Sequence, residues 1–201
     1  MYNKNVLRTK MEIYDLLNPE KEYFKNKKAF IFDMDGTLID SMRYWATPNA
    51  EELEKFPSFR DYMVEKYNTV IEPKPTSYEF LKYLKDNGVP ICIATDTPKW
   101  MSKGFFDRHP EFSTLFAFYL DSEDVGASKR QSGIIYERAA EKLGFSKEEC
   151  IVFEDHKHAV LAANELGFDV VGVYDIINAE NADIIREHSV DYIMDYTEIM
   201  K

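Results

Sequence analysis

The stretch that decides the fold is AFIFDMDGTLID, residues 29–40. Its four leading apolar residues predict a buried β-strand, and two carboxylates, Asp33 and Asp35, follow two positions apart. Isolated carboxylates are costly to remove from water, and two close together repel each other. A chain that places both at the end of a buried strand needs a compensating charge, and a bound cation is the obvious candidate.

Outward from this stretch, short β-rich runs alternate with longer amphipathic runs. The predicted strands are residues 28–32, 89–95, 116–120, 150–154 and 169–174, with a further one at 191–195. Several are apolar throughout, which is typical of parallel strands covered on both faces. The intervening segments 76–88 and 132–144 have helical periodicity and end at glycines. The pattern predicts an α/β fold, a three-layer Rossmann-like core around a parallel sheet.

Two segments do not fit the alternation. Residues 1–27 precede the first strand and contain a short amphipathic helix candidate around Ile13, Leu16 and Leu17, so we treat them as an N-terminal helical extension. Residues 41–73 are helix-like and rich in aromatic residues, and they follow directly after the two aspartates. We therefore expect them to form a small helical cap over that site. Residues 28–40 and 74–201 then form the catalytic core.

The composition limits which binding partners and which cellular compartment are expected. The 201 residues carry a formal net charge of −11 and no basic cluster, so nucleic acid is not an expected partner. No apolar run approaches the roughly 18 residues that span a bilayer, and the first residues lack the apolar segment of a secretory signal. Cys92 and Cys150 fall in two predicted strands separated by a third, about 10 Å apart, which is too far for a disulfide. These features predict a cytoplasmic protein without a membrane partner.

The polar residues that follow the strands suggest a ligand site. In open parallel sheets, ligands bind beyond the carboxyl ends of the strands. The residues expected at this edge are Asp33, Asp35, Thr37, Thr95, Asp96, Thr97, Lys129, Glu154, Asp155 and His156. Mg²⁺ takes oxygen ligands, often one or two carboxylates together with phosphate oxygens. The set therefore predicts a site for a metal ion and a phosphoryl group together.

At this point the sequence resembles the haloacid dehalogenase-like superfamily of aspartate-nucleophile phosphatases and phosphomutases. The resemblance covers residues 29 to about 195. It rests on four motifs in order: DMDGT at 33–37, the threonine of IATDT, the lysine of ASKRQS and the acidic pair of VFEDHKHAV. It implies a sheet ordered 3-2-1-4-5 and a helical cap between the first two motifs. The segment 41–73 has that place, although it is shorter than the usual helical cap.

The resemblance also implies roles for individual residues. Asp33 would be the nucleophile that forms an aspartyl-phosphate, and Asp35 the general acid and base. Thr95 and Lys129 would bind the phosphoryl oxygens. Mg²⁺ would be held by Asp33, the backbone carbonyl of Asp35, Asp155 and, directly or through water, Glu154. The implied activity is hydrolysis of a small phosphate monoester.

Some positions depart from the family pattern, and three other functions stay open. Asp96 stands where many relatives have asparagine, and His156 where many have serine; Arg130 is a candidate to offset the charge of Asp96. A sugar phosphomutase of the β-phosphoglucomutase type would use the same motifs. A receiver-like protein would be phosphorylated after the third strand, where Asp121 lies. A degenerate member would bind a partner without turnover. The sequence indicates no oligomeric state.

Overall fold

A computed structural model describes residues 13–129 and 131–201 of the chain. Its six strands form one parallel sheet in the order β3-β2-β1-β4-β5-β6. The strands are β1 (Ala29–Phe32), β2 (Ile91–Thr95), β3 (Tyr119–Asp121), β4 (Cys150–Glu154), β5 (Asp169–Val173) and β6 (Asp191–Ile193). The predicted α/β class and strand order are confirmed, and the sixth strand extends the sheet beyond β5.

Helices occupy most of the remaining chain. They are α1 (Ile13–Leu16), α2 (Met42–Ala46), α3 (Ala50–Leu53), α4 (Phe59–Thr69), α5 (Ser77–Asp86), α6 (Lys99–Arg108), α7 (Pro110–Ser113), α8 (Ser122–Val125), α9 (Ile134–Leu143), α10 (Lys157–Glu165) and α11 (Ala182–Glu187). In residues 13–129 and 131–201, no helix is both long enough and apolar enough to cross a membrane.

The central strand β1 is apolar throughout because both of its faces are covered. Phe30 and Phe32 point into a cluster that includes residues of α5, and Ala29 and Ile31 point into a second cluster that includes residues of α9. All four side chains are fully buried, and the rings of Phe32 and Phe153 stack with centroids 4.7 Å apart. Burial on both faces removes the polar alternation of a half-exposed strand and fixes the register of the residues that follow β1.

Several predicted bounds differ from the observed ones by one to three residues, most of all at the third strand. Strand β3 begins at Tyr119 and not at 116, although hydrogen bonding to β2 already starts where Ala117 N donates to Ile91 O at 2.8 Å. The predicted N-terminal helix lies partly outside the described residues, and its described part is the single turn α1, followed by the buried Leu17.

Cys92 and Cys150 are buried and free, with β1 between their strands.

The segment 41–73 leaves and returns to the core at one narrow neck. Asp40 N donates to Glu72 O, and Lys74 N donates to Leu38 O, both at 2.9 Å. Between these contacts the chain forms α2, α3 and α4. Helix α4 begins after Ser58, whose hydroxyl accepts a hydrogen bond from Asp61 N at 3.1 Å, as expected of an N-cap serine.

Helix α4 of this segment packs closely on helix α6 of the core. A Cβ atom placed on Gly104 would lie 2.7 Å from the Asn68 Cα, so only glycine allows this approach. Arg108 of α6 donates from Nε to the Tyr67 carbonyl at 3.4 Å, and Arg60 of α4 lies 3.8 Å above the ring of Trp100. These contacts attach α4 firmly to the core.

Replacing Gly104 by alanine is expected to lower the free energy of unfolding by about 1–3 kcal/mol, because the new methyl group would press on the backbone of α4. The loss is expected although alanine favours a helix over glycine by about 1 kcal/mol. Denaturant unfolding measures the difference. Lys103→Ala, an exposed change in the same helix, serves as control and should shift stability by less than about 0.5 kcal/mol. A Gly104→Ala protein as stable as the wild type would show that α4 does not pack closely here.

Candidate active site

The carboxyl ends of the central strands surround one cavity of about 510 Å³. Asp33 follows β1, Thr95 ends β2 and Glu154 ends β4, while Lys129 comes from the loop between α8 and α9. All four are buried, with at most 5% of their surface exposed. Nine of the ten residues predicted at this edge line the cavity: Asp33, Asp35, Thr95, Asp96, Thr97, Lys129, Glu154, Asp155 and His156. The tenth, Thr37, contacts Asp155 directly.

Three of the carboxylates form a compact group. Oxygen atoms of Asp33, Glu154 and Asp155 all lie within 4.8 Å of one another. Burial, followed by the repulsion of Glu154, raises the pKa of Asp33 to about 8, although Lys129 opposes the shift. Burial and the neighbouring Glu154 and Asp33 also raise the pKa of Asp155 well above its usual range. Burial and mutual repulsion therefore both disfavour the ionised forms of Asp33 and Asp155.

Lys129 is the cation that touches this group. Its Nζ donates to Asp33 Oδ1 and to Glu154 Oε1. Burial by itself lowers the pKa of Lys129, but the attraction of the two carboxylates outweighs burial and raises the pKa well above its usual value. Lys129 therefore remains charged at neutral pH beside the Asp33 oxygen.

Glu154 is held by donors on both of its oxygens. Besides Lys129, its Oε1 accepts from Tyr136 Oη at 2.8 Å, and its Oε2 accepts from the backbone N–H groups of Asp155 and His156 at 3.0 Å each. These four contacts fix the carboxylate at the end of β4. Because the other three donors hold the Glu154 carboxylate, Glu154 in turn holds the Lys129 ammonium in place.

Asp155 is oriented by its neighbours from two loops. Thr37 donates to its Oδ1 at 3.1 Å, and Asn178 Nδ2 donates to its Oδ2 at 2.5 Å. Gly36 turns the chain after β1 with φ of 81°, and a Cβ there would lie 2.2 Å from the Asp155 Oδ2. Glycine is therefore required for both the left-handed turn and the close approach of Asp155.

Asp35 is not part of the group of three carboxylates. Its Oδ1 accepts from the hydroxyl groups of Ser41, at 2.6 Å, and of Tyr67, and its Oδ2 accepts from Thr97 Oγ1 at 2.6 Å. Tyr67 Oη in turn accepts from the indole N–H of Trp45 at 3.1 Å. The two aspartates of the DMDGT motif therefore have different surroundings. Asp33 lies beside a lysine and two other carboxylates, whereas Asp35 is surrounded by hydroxyl groups.

Asp96 orders the loop that carries Lys129. Its Oδ1 accepts from the backbone N–H of Lys129 at 2.8 Å, and its Oδ2 accepts from Ser128 Oγ at 2.7 Å. The extra negative charge expected at this position is thus satisfied by the lysine loop. Arg130, the candidate to offset it, lies outside the described residues. His156 lines the cavity, with its ring centroid 5.2 Å from that of His158.

Four of these contact residues have no role predicted from the sequence, and Thr97 was expected only at the strand end. Tyr136 is the polar end of an otherwise apolar helix face, and Asn178 lies beyond β5, so both carry a weak local signal. Ser41 directly precedes α2. Tyr67 was visible only as one of several aromatic residues in the segment 41–73. The four contact residues are Ser41, Tyr67, Tyr136 and Asn178.

The donor set fits a hard divalent cation. Such ions take carboxylate and carbonyl oxygens, and the three converging carboxylates are all oxygen donors. Burial and mutual repulsion raise the pKa values of Asp33 and Asp155, although Lys129 contacts Asp33. A cation between them would relieve their repulsion.

Comparison with known proteins agrees with this geometry. A Drosophila melanogaster protein named probable pseudouridine-5'-phosphatase is 28% identical over 187 residues, covering 72% of this chain and 80% of its own length. Hexitol phosphatase A of Escherichia coli (strain K12) is 28% identical over 204 residues, covering 83% of this chain and 90% of its own length.

A solved structure shares the fold. The crystal structure of a HAD (haloacid dehalogenase) family hydrolase from Deinococcus radiodurans, with bound phosphate and sodium, superposes with a TM-score of 0.67 at 18% identity. The match covers 86% of this chain and 93% of that one. The family described as haloacid dehalogenase-like hydrolase matches residues 45–167, more than half of the sequence. With the sheet order and the site geometry, this match establishes that the chain belongs to the haloacid dehalogenase-like hydrolases.

Proposed function

We propose that this protein is a Mg²⁺-dependent phosphohydrolase that releases phosphate from a small phosphate monoester through an aspartyl-phosphate on Asp33. The observation that carries the proposal is the pairing of Asp33 Oδ1 with Lys129 Nζ at a cavity where Asp155 and Glu154 also converge. The phosphatase names of the similar proteins support it. The expected partner is therefore a small molecule.

The metal ion would be held by Asp33, Asp155 and the backbone carbonyl of Asp35. Glu154 would contribute through water, because donors already occupy both of its oxygens. When bound, the ion supplies positive charge that lowers the repulsion between the phosphate group and the carboxylates. Lys129 and Thr95 would bind the phosphoryl oxygens, since both line the cavity beside Asp33.

In the first half-reaction, a carboxylate oxygen of Asp33 bonds to phosphorus while the bond between phosphorus and the ester oxygen breaks. Asp35 gives its proton to the departing ester oxygen, which leaves as an alcohol. Lys129 lowers the repulsion between Asp33 and the incoming dianion because its ammonium already contacts Asp33 Oδ1.

In the second half-reaction, Asp35 takes a proton from water, and the water oxygen bonds to phosphorus. The bond between phosphorus and the Asp33 oxygen then breaks, which releases inorganic phosphate and restores both aspartates. One residue can serve as acid and then as base because the first half-reaction leaves Asp35 ionised.

We propose that residues 41–73 form a reduced cap on a core made of residues 28–40 and 74–201. The close packing of α4 on α6 favours hydrolysis over the phosphomutase alternative, because a mutase must enclose its intermediate while it reorients. The receiver alternative has less support. The side chain of Asp121 accepts from Asp124 N at 3.0 Å and Lys99 N at 2.9 Å and so serves as a helix cap.

Metal removal tests the proposed function. Exhaustive EDTA treatment is expected to abolish phosphate release from 4-nitrophenyl phosphate and glycerol 3-phosphate, because Asp33 and Asp155 repel a phosphate dianion without a cation. Dialysis followed by added Mg²⁺ should restore the activity, and added Na⁺ at equal ionic strength is the control. Phosphate release that survives complete metal removal would contradict the proposal, and no release under any condition would favour a binding protein.

A further inference from the structure

We propose that Tyr67 is a positioning residue for Asp35, so that a residue of the segment 41–73 takes part in proton transfer to the leaving group. The inference rests on the proposed function and deepens it. It begins from the hydrogen bond that the Tyr67 hydroxyl donates to Asp35 Oδ1. The two residues are 32 positions apart in sequence and belong to different parts of the fold.

The direction of this hydrogen bond follows from the chemistry of the neighbours. The indole N–H of Trp45 can only donate, and it donates to Tyr67 Oη at 3.1 Å. The hydroxyl hydrogen of Tyr67 is therefore left for Asp35. The side chain of Tyr67 is fully buried, so water does not compete for either contact.

The backbone of Tyr67 also contacts the core. Arg108 Nε donates to the Tyr67 carbonyl at 3.4 Å, and the next residue, Asn68, lies against Gly104 of the core. The phenol is therefore placed by the contact between α4 and α6 and does not depend on closure of a mobile lid. Together with Ser41 and Thr97, it restricts how the Asp35 carboxyl group can rotate.

This restriction matters most for substrates whose leaving group needs a proton. An alkoxide leaves poorly unless it is protonated, whereas 4-nitrophenolate departs readily without a proton. Tyr67→Phe is therefore expected to lower kcat/KM for glycerol 3-phosphate by about 10- to 100-fold, since a misplaced catalytic group can cost that much. The kcat/KM for 4-nitrophenyl phosphate should fall by less than about 3-fold. For each ester, kcat/KM reports the steps up to phosphoenzyme formation, and the leaving group departs in that step.

Three further variants serve as comparisons. Tyr62→Phe removes a hydroxyl from another buried tyrosine of α4, whose ring packs on Phe56 at 5.6 Å, and should leave both kcat/KM values unchanged. Adding Tyr67→Phe to Asp35→Asn should cause no further loss with glycerol 3-phosphate, because the group that Tyr67 positions is already disabled. Trp45→Phe removes the donor to Tyr67, together with part of a ring that lines the cavity and packs on Phe59. It should produce a smaller loss with the same preference for the aryl ester.

The outcomes distinguish failure of the positioning role from failure of the proposed function. An equal loss of kcat/KM for both esters in a folded Tyr67→Phe protein, or no loss for either, would overturn the positioning role. If Tyr67→Phe fails to fold, kcat/KM for both esters is measured in Trp45→Phe instead. A ratio of these two values equal to that of the wild type overturns the proposal. A wild-type protein that releases no phosphate from either ester refutes the proposed function itself, and this inference with it.

Discussion

Replacing Asp33 by asparagine is expected to reduce phosphate release by at least about 10⁴-fold, because an amide is a poor nucleophile and no phosphoenzyme can form. The variant should remain folded, since the amide oxygen can still accept a hydrogen bond from Lys129 and a neutral amide does not add to the repulsion within the acidic group. Steady-state phosphate release measures the effect, and a melting temperature close to that of the wild type shows that the variant is folded. Residual activity near the wild-type level would exclude Asp33 as the nucleophile.

The companion variant Asp35→Asn distinguishes the role of Asp35 from that of Asp33. It should still accept a phosphoryl group from a reactive donor such as acetyl phosphate, because the leaving group then needs little protonation. Hydrolysis of the phosphoenzyme should be slow, so that phosphate can be located on Asp33 by mass spectrometry. Asp121→Asn is the control and should leave turnover unchanged. Phosphate found on Asp121 would instead support the receiver function.

Replacing Lys129 by methionine is expected to have the second large effect. The change leaves the buried carboxylates of Asp33 and Glu154 without their cation, which typically costs about 3–5 kcal/mol of unfolding free energy. It should also lower kcat/KM by about 10²–10³-fold, because a charged donor to the phosphoryl group is lost. Chemical denaturation and steady-state kinetics measure the two effects separately.

The matched control for this variant is Lys27→Met. Lys27 is also buried, and its Nζ donates to the carbonyls of Glu148 and Cys150, at 2.8 and 3.0 Å, and pairs with Asp169. It precedes β1, at the opposite end of that strand from Asp33. Lys27→Met should lower stability and leave kcat/KM unchanged. Full activity in a folded Lys129→Met protein would contradict the role of Lys129.

The core of the fold was predictable because its signal is local. Residues 29–32 and 150–153 are uninterrupted apolar runs, and Asp33 and Glu154 follow them directly in the chain. Once parallel strands are predicted, their carboxyl ends must share one edge of the sheet. The strand order came from the resemblance, since apolar runs by themselves do not say which strands are neighbours.

The residues that orient the site were less predictable because their contacts are non-local. Tyr67 reaches Asp35 only through the docking of α4 on α6, and nothing in the residues around Tyr67 specifies that contact. Asp96 illustrates a different difficulty. Its charge was expected at the edge of the site, with Arg130 as a candidate to offset it, but the fold turns both of its oxygens toward the loop of Ser128 and Lys129. The extent of β3 also differed, because backbone pairing of Ala117 begins before the regular strand.

The narrow neck of the segment 41–73 affects the conformational entropy of the chain. Its two ends are held together by the hydrogen bonds of Asp40 with Glu72 and of Leu38 with Lys74. The entropic cost of closing a flexible loop grows only with the logarithm of its length, so doubling this segment would cost about 0.6 kcal/mol. A flexible insertion that leaves the contact between α4 and α6 in place would therefore have little effect on the stability of the sheet, so the length of the segment 41–73 could change without loss of the core.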